Sequence, residues 1–136
     1  MKIVSCIENG RCFELHGPKN WEIKKIKIDG DVIKGNQTEK CDYAITVRDS
    51  TPVNHALFYV ELKGKDLLKA ISQLESTVIQ LKSEFNGFKS HEAHAVCRRI
   101  IPYVQASAQV QAVNFKKKYG FLLRWHSQKA VIVIKD

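Results

Sequence analysis

Asp42, Glu61 and Lys63 are the residues of this chain whose types and spacing suit chemistry best. Asp42 lies near the start of a β-prone run at 41–47 (CDYAITV), and Glu61 lies near the end of an apolar run at 56–62 (ALFYVEL). A carboxylate inside a strand core is costly unless it is paired or bound to a cation. Lys63 follows Glu61 by two positions, so in a strand the two side chains share a face. A neighbouring antiparallel strand would bring Asp42 beside them. Two carboxylates plus a strand carbonyl, that of Leu62, form an oxygen donor set suited to Mg²⁺ or Mn²⁺. Such an ion orients a phosphodiester, stabilises its developing charge and activates an attacking water. Lys63 would position or deprotonate that water and contact the phosphate. The plainer reading of the same residues makes Asp42 a strand-start cap and Glu61 with Lys63 a same-face ion pair.

The elements that must position these residues are legible as α/β. The chain has 136 residues, 44% of them hydrophobic, which fits one folded domain over 1–136. Short strands are expected over 1–33: residues 2–7, a return strand at 11–15 after the Asn9-Gly10 hairpin turn, the alternating stretch 25–28, and Val32-Ile33. Strands follow at 41–47 and 56–62. Asp66 is a plausible N-cap for a helix over 67–82, where Leu67, Ala70, Ile71, Leu74, Val78 and Leu81 make one apolar stripe. A strand at 93–101, a helix at 106–119 closed by Gly120, and strands at 121–126 and 130–134 complete the chain. The last two strands are expected to form a hairpin across Ser127-Gln128-Lys129.

In these residues the chain resembles the PD-(D/E)XK nuclease superfamily, which includes restriction endonucleases and archaeal Holliday-junction resolvases. Asp42, then Glu61-Leu62-Lys63 nineteen positions on, then a helix, follow that family's order. The resemblance covers about residues 40–135. It implies a restriction-endonuclease-like fold, a central mixed sheet flanked by helices. It also implies metal-dependent hydrolysis of DNA phosphodiester bonds, with Gln73 supporting the site from the helix. Cys41 stands where proline precedes the Asp in many members. Many members also take a further acid from an N-terminal helix. Strands are expected there instead, with Glu8, Glu14 and Glu22 as unranked candidates. Little chain remains to read a base sequence, so a homodimer or a subunit of a larger complex is implied. The alternative is a non-catalytic nucleic-acid-binding or protein-interaction module on the same fold.

Charge supports a polyanionic partner. Lys plus Arg number 22 against 14 Asp plus Glu, a formal net charge of +8. Lys65, Arg98, Arg99, Lys116, Lys117 and Lys118 are the candidate nucleic-acid contacts, with Lys24-Lys25 beside them. Trp21, Trp125 and Tyr103 could stack bases. His91, His94 and Cys97 have the three-residue spacing of helical metal ligands, but the stretch reads as strand, where i and i+3 point to opposite faces. His16, His55 and His126 show no partner in the sequence. The four cysteines form no CxxC pair and read as reduced apolar fillers. No run is long enough to span a bilayer and no signal peptide is evident, so a cytoplasmic protein without a membrane partner is expected.

Overall fold

The computed structural model describes residues 1–28, 41–51, 53–62, 66–81 and 83–135. The expected strand at Val32-Ile33, the polar stretch 35–40, and the site residues Lys63 and Lys65 lie outside the described residues.

The strands are β1 (Lys2–Glu8), β2 (Arg11–Gly17), β3 (Glu22–Lys27), β4 (Tyr43–Arg48), β5 (Asn54–Glu61), β6 (Ser90–Cys97), β7 (Leu122–Ser127) and β8 (Lys129–Val133). The helices are α1 (Leu67–Leu81) and α2 (Pro102–Tyr119). Five strands form a mixed sheet in the order β3-β4-β5-β6-β7. β3, β4 and β5 meander antiparallel, while β5, β6 and β7 run parallel. The two crossovers, through α1 and then α2, move the same way along the sheet, which puts both helices on one face. A second, three-stranded sheet in the order β1-β2-β8 lies against the other face.

The two cores follow from period-two alternation. From the five-stranded sheet, Ala44, Leu57, Tyr59, Ala93, Ala95 and Cys97 pack against the stripe of α1 and against Ala108 and Phe115 of α2. From the opposite face, Ile45, Val47, Phe58, Val60 and Val96 pack against Cys6, Phe13, Leu15 and Ala130 of the smaller sheet. β5 is covered on both faces, which explains its unbroken apolar run. Burial falls on three cysteines: Cys6 sits between the sheets, and Cys41 and Cys97 sit under the helices. All four thiols are free, and burial pushes Cys6 up to about 12, Cys41 well above the usual thiol range, and Cys97 upward as well.

The structure is α/β as expected, but among the described residues the helices cover one face of the central sheet. The N-terminal strands are integral to it: β3 is an edge of the main sheet, and β1 with β2 builds the second layer. The expected β7–β8 hairpin does not form. β8 leaves β7 through Gln128, at φ 66, and pairs in parallel with β2. Ser127-Gln128-Lys129 has neither the Asn-Gly nor the Asp-Gly that a tight hairpin selects, and pairing with β8 closes the free edge of β2. By contrast Asn9-Gly10, at φ 49 and 77, makes the expected tight turn between β1 and β2. β6 starts and stops earlier than expected, and α2 begins at Pro102 rather than at 106. A proline in the first helical turn presets φ and lacks only an N–H that the turn does not use. Among the described residues no helix is long and apolar enough to cross a membrane.

Candidate active site

β5 and β6 end side by side, and β4, running the other way, begins at the same end. That end gathers the two acids read from the sequence. Asp42 stands just ahead of β4 and continues its ladder: its N–H donates to the Val60 carbonyl at 3.1 Å, and its own carbonyl accepts from Ile28 N–H at 2.9 Å. Glu61 is the last residue of β5 and faces Ala95 of β6 in register. Alternation puts Asp42 in phase with Ala44, and Glu61 in phase with Leu57 and Tyr59, so both acids belong to the helix-facing side. Asp42 is 3% exposed and Glu61 0%. The Asp42 Oδ2 accepts the Leu62 N–H at 2.6 Å, which ties the first acid to the residue that follows the second. The Cys41 thiol lies within the field of both carboxylates, and each adds to the upward push of burial on it.

α1 covers this end. Thr77 Oγ1 accepts the Cys41 N–H at 2.7 Å and itself donates to the Gln73 carbonyl, one turn earlier, at 2.9 Å. That pair docks the helix on the residue preceding Asp42 and brings Gln73 to the same end. The Gln73 Oε1 is buried without a hydrogen-bond partner among the described residues. Such an acceptor is costly to leave unmade in a purely structural side chain.

The basic candidates divide. Arg98 and Arg99 follow β6 directly and are exposed at the acid-bearing end. Lys116, Lys117 and Lys118 do not join them. α2 runs back along the sheet, so its last turn lies at the far end, where Lys116 lines a cleft with Lys89, Ser90 and Gly120. There these lysines complement the helix dipole, and Lys118 also approaches Glu75 at 3.9 Å. Trp21 is buried between the sheets against the His55 ring, with centroids 4.8 Å apart, and is closed to base stacking. Tyr103 is 79% exposed. Of the unranked acids, Glu8 accepts the Tyr43 hydroxyl at 3.0 Å and so lies at the site end. Glu14 is taken by His16 and Lys129, and Glu22 sits at the far end beside Arg48.

Two groupings escaped the sequence reading. The first is Arg11, nine-tenths buried at the tip of the β1–β2 hairpin. Its signal was the alternation Arg11, Phe13, Leu15, which puts an arginine on a core-facing row. The second is a polar chain on β6 and β7. Glu92 Oε1 meets His94 Nε2 at 2.9 Å, and His94 Nδ1 meets His126 Nε2 at 3.0 Å. His94 is fully buried. β6 is a strand, so His94 points away from the side of His91 and Cys97, and no ligand trio forms from those three. Glu92 and His94 two residues apart on one strand were a readable pair, whereas the partnership with His126 depends on β6–β7 register.

Burial drives the His126 ring down to about 4, with the His94 and Arg124 charges adding to it. The His94 hydrogen bond pulls the Glu92 carboxyl below its usual range. A histidine whose folded pKa is depressed refuses a proton that the unfolded chain accepts at about 6.5. Stability is therefore lost as pH falls from about 6.5 towards 4, and the Glu92 contribution follows only in the more acidic carboxylate range. Urea midpoints are expected to drop between pH 7 and pH 5 in the wild type and to drop less in His126→Gln. An unchanged pH slope in that variant would remove His126 as the cause.

Among the described residues no group of three or more His, Cys, Asp or Glu side chains is gathered as a metal cage. Mg²⁺ does not need one. It keeps several waters and takes one or two carboxylates, so Asp42, Glu61 and the Leu62 carbonyl fit it as a donor set. Comparison with known proteins returns no match to a family model, to a curated protein or to a solved structure.

Proposed function

We propose that this chain is a metal-dependent nuclease of the PD-(D/E)XK type on a restriction-endonuclease-like fold, hydrolysing DNA phosphodiester bonds. The observation that carries the reading is the convergence of Asp42 and Glu61. Two carboxylates, 3% and 0% exposed, meet at the C-terminal end of parallel strands, linked through the Leu62 N–H. Open α/β sheets place their ligands at that end. The strand, E-x-K, helix order and the docking of α1 on Cys41 through Thr77, one turn from Gln73, support the same reading.

When bound, a divalent ion at these oxygens supplies charge stabilisation and a more acidic water. Asp42 and Glu61 would hold it, with the Leu62 carbonyl as a further protein oxygen. The Leu62 N–H fixes the Asp42 carboxylate so that it need not reorganise during reaction. Lys63, two residues past Glu61, positions or deprotonates the water. Arg98 and Arg99 hold backbone phosphate. The reading includes a homodimer, which presents two sites to two strands; α2 leaves Tyr103, Val110 and Val113 exposed on its outer side for such a contact.

The test is cleavage of linear, single-stranded, branched and supercoiled DNA with Mg²⁺, with Mn²⁺ and with EDTA. Cleavage that EDTA abolishes is expected. Binding without cleavage on every substrate would instead support a non-catalytic module.

A further inference from the structure

Arg11 is a buried cation whose Nε finds no partner among the described residues. It opens β2 and points inward with Phe13 and Leu15, 9% exposed. Its Nε is sealed from solvent and makes no hydrogen bond among the described residues. No carboxylate among them lies within ion-pair distance of its guanidinium. Burying a charged group without a partner is costly, and a buried Nε without a hydrogen bond calls for a physical reason.

The backbone fixes where this cation sits. The tight Asn9-Gly10 turn immediately precedes it. The Cys12 N–H donates to the Gln128 carbonyl at 3.0 Å, and the Gln128 N–H donates to the Cys97 carbonyl at 2.7 Å. The start of β2 is thereby tied to the end of β6, the same end that carries Glu61. The Cys97 thiol lies in the fields of both Arg11 and Glu61, one lowering and the other raising it. A guanidinium presents a rigid fork that matches phosphate oxygens.

We propose that Arg11 is a phosphate-binding residue that grips a backbone phosphate of nucleic acid at the acid-bearing end of the sheet. The identity of that phosphate as part of the substrate rests on the nuclease reading, whereas the anion site does not. Arg11 would hold the chain from the hairpin side while Arg98 and Arg99 approach from the end of β6.

The test is run in EDTA, so that cleavage plays no part. Melting temperature is followed against inorganic phosphate and against a short single-stranded oligonucleotide, with chloride at matched ionic strength as control. Both phosphate probes are expected to raise the wild-type melting temperature, and the oligonucleotide at the lower concentration. Arg11→Gln is expected to lose the response to inorganic phosphate and to weaken that to the oligonucleotide, Arg11→Lys to keep part of both, and Glu61→Gln to keep both. Equal responses in wild type and Arg11→Gln would overturn the proposal. A response to inorganic phosphate alone would overturn the assignment to nucleic acid. Should Arg11→Gln fail to fold, the Arg11 Nε–H resonance of the wild type decides: it shifts on phosphate titration if the proposal holds and stays fixed if it does not. Loss of cleavage from the Glu61 variant, or its absence in the wild type, leaves these readouts unaffected.

Discussion

Glu61→Gln is expected to lower metal-dependent cleavage by about 10³-fold while leaving metal-free DNA binding close to wild type. The estimate follows from the several kcal/mol of charge stabilisation that a bound metal ion supplies and from tenfold in rate per roughly 1.4 kcal/mol. Glutamine keeps the size of the side chain at a fully buried position, so the end of the central strand retains its packing. Asp42→Asn is expected to behave alike, because the asparagine Oδ1 can still accept the Leu62 N–H while the charge is gone. The measurement is initial cleavage rate at saturating Mg²⁺, beside affinity for the same DNA in EDTA. Glu61→Gln within tenfold of the wild-type rate would sink the assignment of Glu61 as a metal-holding acid. Equal loss of cleavage and of metal-free binding would show instead that the substitution has disturbed the fold.

The second large effect falls on stability. Phe13 is fully buried between the two sheets, its ring centroid 6.3 Å from Phe58 and 5.1 Å from His94. Phe13→Ala is expected to cost about 3–5 kcal/mol through lost burial and the cavity left behind. Typical domains hold roughly 5–15 kcal/mol in total, so the loss is a large share. Phe13→Leu should cost much less, because most of the volume remains. Urea denaturation at pH 7 measures both. A loss below about 1 kcal/mol for the alanine variant would mean that the three-stranded layer unfolds apart from the rest, and the two-state treatment would fail.

The central meander and the first crossover were legible because their signals were local. The run ALFYVEL is apolar on both faces, and α1 carries an unbroken stripe, so β5 and α1 were readable with the acids at their ends. The arrangement of β8 was not readable. Its alternation is the same whether it pairs with β7 or with β2, and the choice is made by which edge is free in three dimensions. The placement of the lysine run 116–118 was unreadable for a related reason: its charge is plain in the sequence, but a helix that returns along the sheet carries it to the end away from the acids. Arg11 was announced by the alternation of its row and the Glu92–His94 pair by spacing on one strand, but the contact with His126 depends on β6–β7 register, which no spacing along the chain encodes. In the site itself, the meeting of Asp42 and Glu61 follows from β4–β5 register, and the placement of α1 beside them from its docking on Cys41 through Thr77.

The buried thiols divide the molecule into layers that can be watched one at a time. Cys6 lies between the sheets, and Cys41 and Cys97 lie beneath the helices. A thiol reacts with an alkylating reagent as its thiolate, and burial suppresses that form at all three positions. Labelling of each residue in the native protein therefore requires an opening of its own layer. Mass-resolved rates at Cys6 then give the free energy of parting the sheets, and rates at Cys41 and Cys97 that of lifting the helices. Cys41 adjoins Asp42, so its rate also reports how often the acid-bearing strand end comes apart, without a label having been engineered into the chain.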